Sequence, residues 1–179
     1  MTTALLIVDV QQHLTFGAEA APDAAALIAR INGLARAARA HGRPVVLIQH
    51  EEAGSPLAHG SAGWELADGL DAQEGDLRVR KTQPSAFEGT PLHGLLQARG
   101  VQRVVVCGLQ TDCCVNATAR AALPLGYAVV LAADAHSTED RERAAADVVA
   151  EHNAALAALG DEGETIQVVP AVAIEFGAG

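Results

Sequence analysis

Unbroken apolar runs, closed by glycines and short polar stretches, organise this chain. Residues 4–8 (Ala-Leu-Leu-Ile-Val) and 104–107 (Val-Val-Val-Cys) are apolar at every position and read as parallel strands buried on both faces. Further strands are predicted at 44–49, 127–132 and 165–169, with a short piece at 77–80. Helical patterns occupy 23–40, 91–99, 112–123 and 138–158. Gly42, Gly100 and Gly160 stand where helix ends need a left-handed residue. Alternating strands and helices imply an α/β fold: a three-layer open sheet, mostly parallel and six-stranded, with helices on both faces. The pattern holds no repeat and no linker, so residues 1–179 are expected to form one domain. The segment 51–76 breaks the rhythm with Gly54, Ser55, Pro56, Gly60, Ser61, Gly63 and the lone Trp64. A loop of that length inside a domain reads as a lid or a pocket wall.

Composition narrows the class. The 179 residues suffice for one sizeable core, and 50% hydrophobic with 19% charged residues is an ordinary globular balance. The formal net charge of −10, with no run of Lys or Arg, argues against nucleic acid or an anionic membrane as partner. No stretch approaches the roughly 18 apolar residues of a membrane span. The N-terminus turns straight into a strand without a basic leader, so no signal peptide is expected. Three cysteines, two of them adjacent, make no disulfide framework, and a reducing cytoplasm is the simplest setting.

Charge usage then draws attention to one residue. Of twelve basic residues a single one, Lys81, is lysine. Lysine is a compact point charge with a tunable pKa, where arginine is a permanently charged planar fork, so Lys81 is a candidate for chemistry. Asp9 closes the apolar run 4–8 and reads either as a capping acid or as a general base at the sheet rim. After the run 104–107, Gly108 is expected to break the strand, and Thr111 or Asp112 to cap the next helix. Cys113 and Cys114 then fall in the first helical turn, where free N–H groups favour a thiolate. An acid, a cation and a thiol at the carboxyl edge of a parallel sheet make a base, an electrostatic partner and a nucleophile. Neighbouring helical residues point about 100° apart, so only one cysteine can face Asp9, and geometry alone does not choose it. Cys107, inside an apolar strand, is expected in the core.

Three segments, in order and spacing, resemble the isochorismatase-like cysteine hydrolases, which include nicotinamidases, N-carbamoylsarcosine amidases and streptothricin hydrolases. They are Leu6-Ile7-Val8-Asp9-Val10-Gln11; Lys81 with Pro84-Ser85-Ala86-Phe87; and Gly108-Leu109-Gln110-Thr111-Asp112-Cys113-Cys114-Val115. The resemblance runs from about residue 4 to 159 and implies that family's Rossmann-like fold. It implies a catalytic triad of Asp9, Lys81 and Cys114, since the family's nucleophile directly precedes a valine. It implies an oxyanion hole from the backbone N–H groups of Gln110 and Cys114, and a cis peptide bond at Leu109–Gln110. The expected reaction is hydrolysis of a C–N bond in a small amide, ureide or lactam through a covalent thioester. A homo-oligomer, dimer or tetramer, is implied too. Asp134-Ala135-His136-Ser137-Thr138 and Glu151-His152-Asn153 look like the streptothricin hydrolase subgroup, although strand-end and capping roles account for them as well.

The chain departs from the family at one point. Nicotinamidases carry an Asp-Trp-His type metal motif after the second strand, where this chain has Gln49-His50-Glu51-Glu52. No metal and no cofactor are therefore expected, His50, His59 and Glu51 being the residues from which a weak site could be made. Phe16, His50, Trp64 and Phe87 are the substrate-binding candidates by position, with His13 beside them; each aromatic is equally a core candidate in a chain with five aromatic residues. The alternatives are a vinyl-ether (isochorismate-type) hydrolase, a catalytically degenerate oligomeric scaffold and a thiol redox protein. A cysteine at position 114 weighs against the first, a complete triad against the second, and the missing C-x-x-C spacing against the third.

Overall fold

The central strand of the computed structural model, β1 (Thr3–Val8), is buried at all six positions. The structure describes residues 1–159 and 165–177. β1 is buried throughout because side chains alternate between two cores. Ala4, Leu6 and Val8 enter one cluster, Leu5 and Ile7 the other. The remaining strands are β2 (Val45–His50), β3 (Leu77–Lys81), β4 (Arg103–Leu109), β5 (Ala128–Ser137) and β6 (Ile166–Val169). They form one sheet in the order β3-β2-β1-β4-β5-β6, and every pair is parallel.

The short helix α1 (Gln12–Thr15) follows β1, and α2 (Ala24–Ala40) covers the Leu5 face with Leu27, Ile28, Ile31, Leu34, Ala35 and Ala38. The opposite face is covered by α3 (Leu92–Gln97), α4 (Asn116–Ala122) and α5 (Ala145–Ala157) through Leu92, Leu96, Ala119, Ala122 and Leu156. Burying a side chain of the Leu or Ile class contributes about 1.5–3 kcal/mol, so the twin cores hold the sheet as a rigid platform. After β6 the chain passes a short 3₁₀ turn, Ala171–Ala173, and anchors with the buried Phe176. No described helix is long and apolar enough to cross a membrane.

Three expectations are corrected. Gly108 does not end β4: it pairs with Val8 on one side and, across a bulge, with His136 on the other. β5 does not stop at 132 but runs to Ser137, so Asp134 sits within the strand and α5 begins at Ala145 rather than 138. The turn 139–144 intervenes, with the Asp140 carboxylate accepting the Ala145 N–H at 2.7 Å. The helix predicted at 112–123 is a π-helical turn, Thr111–Val115, followed by α4, with no side-chain cap at its start. Gly42 (φ 64°) and Gly100 (φ 63°) adopt the left-handed conformation just past α2 and α3. The third helix stop, Gly160, lies outside the described residues.

Candidate active site

The strand order reverses direction between β1 and β4, and a doubly wound sheet opens a crevice at that point above its strand ends. Asp9 leaves β1 with φ 50°, its N–H donating to the Ile48 carbonyl at 2.9 Å. The Leu109–Gln110 peptide at the end of β4 is cis. The Gln110 carbonyl then accepts the N–H groups of Cys113 (3.2 Å) and Val115 (3.1 Å), bypassing that of Cys114. His50 and Lys81 end β2 and β3 and are register partners.

The Lys81 ammonium is the hub. It lies 2.8 Å from Asp9 Oδ2, 3.1 Å from Cys114 Sγ, 3.2 Å from His50 Nδ1 and 3.1 Å from the Gln83 carbonyl. Asp9 and Lys81 are 1% and 2% exposed, which makes this a dry ion pair. Neither Asp9 oxygen has a well-directed hydrogen bond, although Oδ2 is in ion-pair contact. Burial raises the Asp9 pKa well above the ordinary carboxylate value, the Cys114 sulfur raises it further, and Lys81 opposes both. For Lys81, burial acts to lower the pKa, but the charges of Asp9 and Cys114 outweigh it and the net shift is upward. His50 is held below its usual value by burial and by the neighbouring ammonium. As Lys81 donates to Nδ1, His50 carries its proton on Nε2.

The two adjacent thiols are 3.8 Å apart and hydrogen-bonded, so they titrate as a pair. Cys113 is lowered to about 6, chiefly by this bond. Cys114 is raised, by the same bond and then by burial, while Lys81 pulls it down. In this bond Cys114 donates to Cys113; the ammonium 3.1 Å from the Cys114 sulfur draws negative charge toward Cys114.

A cavity of about 230 Å³ opens onto these groups, lined by Asp9, His50, Gln110, Cys113 and Cys114 with Leu14, Glu52, Leu57 and Pro84. The expected wall segment 51–76 thus contributes Glu52 and Leu57. A larger hollow of about 430 Å³ lies elsewhere, beside Tyr127 and Gln167, and none of Asp9, Lys81 and Cys114 lines it. Of the four substrate-binding candidates only His50 lines the cavity. Phe16 is 81% exposed and borders a separate surface hollow together with His13. Trp64 makes an edge contact with His59 at 4.6 Å. Phe87 packs against the core and stacks on Tyr127 at 5.8 Å. Of the residues considered for a metal, Glu51 is engaged by Arg80 at 2.7 Å and His59 by Trp64. Cys107 is fully buried in the other core, and burial alone raises its thiol pKa.

Two supporting groups enter the sequence analysis only as members of longer motifs. Gln11, quoted only as part of a motif, is fully buried and ties three segments together. Its amide donates to the carbonyls of His50 (3.0 Å) and Trp64 (2.9 Å), and its Oε1 accepts the His50 N–H (2.9 Å). Its position directly after Asp9 and Val10 was the available signal. Behind the cysteine turn, His136 Nδ1 meets the Thr111 hydroxyl at 2.8 Å and Nε2 meets Asn153 Oδ1 at 2.9 Å. Asn153 donates its amide to the Ala133 carbonyl, so its oxygen faces His136. That makes Nε2–H the donor, Nδ1 an acceptor, and the Thr111 hydroxyl a donor to it.

An acid, a buried ammonium and a thiol converging at the switch point of a parallel sheet define a cysteine-hydrolase architecture. Comparison with known proteins agrees: residues 3–164 match the isochorismatase domain, and the chain belongs to the isochorismatase family. It is 43% identical over 181 residues to a streptothricin hydrolase of Streptomyces noursei, a match that covers 97% of this chain and 64% of that protein's length. A cysteine hydrolase from Pseudomonas syringae superposes with a TM-score of 0.85 at 27% identity, covering 95% of this chain and 89% of the other. An N-carbamoylsarcosine amidase from Thermoplasma acidophilum gives 0.80 at 26% identity, covering 98% and 99%.

Proposed function

We propose that this protein is a cysteine-dependent hydrolase that opens a C–N bond in a small amide, ureide or lactam through a thioester on Cys114. The observation that carries the reading is the ammonium of Lys81, held within 2.8–3.1 Å of both Asp9 and Cys114 beside a cavity that Asp9 and Cys114 line. In this reading the thiol proton passes to Asp9, whose raised pKa suits it to hold a proton near neutrality. The Cys114 sulfur attacks the carbonyl carbon, and the N–H groups of Gln110 and Cys114 receive the oxyanion. The C–N bond breaks as Asp9 returns its proton to the leaving nitrogen. Water, deprotonated by Asp9, then attacks the thioester, and Cys114 is released with the acid. The Lys81 charge keeps the sulfur and the carboxylate competent throughout.

The cavity admits the reacting group and a few neighbouring atoms, so a larger substrate would extend past Glu52 and Leu57. The similarity to a streptothricin hydrolase makes a streptothricin-type lactam the first substrate to try. The test is a panel of primary amides, ureides and lactams, with ammonia release for the first two and mass detection for ring opening. Cys114→Ala runs alongside. Turnover that disappears with Cys114, together with a covalent acyl adduct on the wild-type protein, is the expected result. Turnover that survives Cys114→Ala would refute the mechanism.

A further inference from the structure

The role proposed for Cys114 leaves Cys113 unused, yet Cys113 is an exposed thiol lining the same cavity with its sulfur 3.8 Å from that of Cys114. A regular helix would hold neighbouring side chains about 100° apart. Here the π-helical turn Thr111–Val115 brings the two sulfurs into contact. The third cysteine takes no part, because Cys107 lies in the core on the opposite face of the sheet.

We propose that Cys113 and Cys114 form a peroxide-modification site, in which Cys114 is oxidised by hydrogen peroxide or an organic hydroperoxide and Cys113 resolves the product as a reversible vicinal disulfide. In the first step the Cys114 thiolate, beside the Lys81 ammonium, attacks one peroxide oxygen. An S–O bond forms, the O–O bond breaks, and the departing oxygen leaves as hydroxide or alkoxide and takes up a proton. In the second step the Cys113 sulfur attacks the sulfur of the sulfenic acid. The S–S bond forms, the S–O bond breaks, and water leaves with the Cys113 proton. Two thiols lose two electrons and two protons in all, and the peroxide is reduced to water, or to water and an alcohol. The Lys81 charge lowers both thiols and so favours the thiolate that the first step needs.

Geometry also makes the product reversible. The sulfurs must close from 3.8 Å to about 2.05 Å, a movement that χ1 rotation of the exposed Cys113 would make toward the buried Cys114. Adjacent α-carbons sit only about 3.8 Å apart across a trans peptide, below the usual disulfide range of roughly 4.4–6.8 Å. Such a bond is strained, and strained disulfides are the readily reduced ones. The pair would thus protect Cys114 from irreversible oxidation and switch the site off while oxidised. The switching rests on Cys114 being the nucleophile; the chemistry of the pair does not.

Intact-mass analysis under denaturing, non-reducing conditions tests the chemistry without reference to turnover. Wild-type protein treated with a few equivalents of hydrogen peroxide should become about 2 Da lighter, with the loss mapped to Cys113 and Cys114 and reversed by dithiothreitol. Cys113→Ala should instead gain about 32 Da at Cys114, as a sulfinic acid that dithiothreitol does not reverse. Wild-type protein gaining that same irreversible mass, or forming Cys113-linked dimers, would overturn the proposal. If the 2 Da loss occurs but turnover of an identified substrate persists, the disulfide stands and the assignment of Cys114 as nucleophile fails.

Discussion

Among the described glycines Gly108 leaves the least room for a side chain, and Gly108→Ala tests whether that close approach sets the site. It pairs with Val8, immediately before Asp9, and sits two residues before Gln110. A β-carbon at position 108 would meet the Val8 carbonyl oxygen at 2.1 Å, its nitrogen at 2.8 Å and its carbonyl carbon at 2.9 Å. Ordinary contact begins at 3.4 Å, so β1 and β4 would have to part by roughly 1 Å at this point. The φ of 116° adds strain of about 1–3 kcal/mol for a residue with a side chain. Overpacking adds about 1–3 kcal/mol more, giving a destabilisation of about 2–6 kcal/mol. At about 2–4 °C per kcal/mol for a protein of this size, Tm should fall by roughly 4–24 °C. As the displaced strand carries Asp9, kcat/KM at a permissive temperature should drop about 100-fold, the usual effect of misplacing a reacting group by 1 Å. The internal control is Gly33→Ala in the middle of α2, where the added carbon meets nothing within 4 Å. That change should stabilise the protein by about 0.5–1 kcal/mol and leave kcat/KM alone. Thermal unfolding and steady-state kinetics on both variants decide the matter. A Gly108→Ala protein melting within about 2 °C of wild type, with its activity intact, would refute the reasoning.

Three further outcomes are expected. Cys114→Ser should abolish turnover while Cys113→Ser retains most of it, and the reverse pattern would reassign the nucleophile. The acid limb of the kcat/KM profile should lie above the ordinary carboxylate value of about 4, since burial raises Asp9 and activity is lost as falling pH protonates it; a limb at or below that value would exclude Asp9 as the base. His136 should contribute a loss of folding stability as pH drops below about 6.5, because burial lowers its pKa and the folded state resists the proton that the unfolded chain accepts, while the raised Asp9 acts in the opposite direction. The slope is at most about 1.4 kcal/mol per pH unit per group. Urea titrations at several pH values should show it reduced in His136→Asn, the residue from His50 remaining.

The strands and the site acid, lysine and cysteines were legible in the sequence because they depend on local signals. An apolar run such as 4–8 needs no partner to be read as a buried strand, and Asp9 is conspicuous where that run ends. What escaped depends on distant residues. Ala133, Asp134 and His136 have little strand propensity, yet β5 continues through them because β4 offers Gly108 and Leu109 as pairing partners across a bulge. Gly108 looked like a break because glycine is poor in strands, whereas its lack of a side chain is what lets β1 come close. The aromatic candidates failed to converge for a related reason. Position in a loop carries no direction, and Phe16, Trp64 and Phe87 went to solvent, to His59 and to Tyr127.

The single lysine is explained by where its nitrogen sits. β3 lies two strands from β1, roughly 10 Å at the usual strand spacing, and β2 lies between them. A long unbranched stem is needed to cross above His50 and reach Asp9. Its tip must then be small, because a carboxylate, a sulfur, an imidazole nitrogen and a carbonyl all surround it at 2.8–3.2 Å. The donor atoms of Asp9, His50 and Cys114 lie within 4.8 Å of one another, a spacing suited to a spherical cation, and the ammonium fills that centre. Arginine carries the same charge and a comparable reach, but its planar fork cannot occupy a point among four acceptors. Lys81→Arg should therefore keep the net charge and still lose at least about 100-fold in kcat/KM, the loss that follows a displacement of about 1 Å among reacting groups. Lys81→Met, which removes the charge but keeps the stem, should be comparably inactive. It should also shift the first thiol titration of the cysteine pair upward, since the Lys81 charge lowers both thiols. Thiolate absorbance followed against pH measures that shift. Near-normal activity in Lys81→Arg would mean that positive charge alone suffices, and that the compactness of the ammonium has no part in the chemistry.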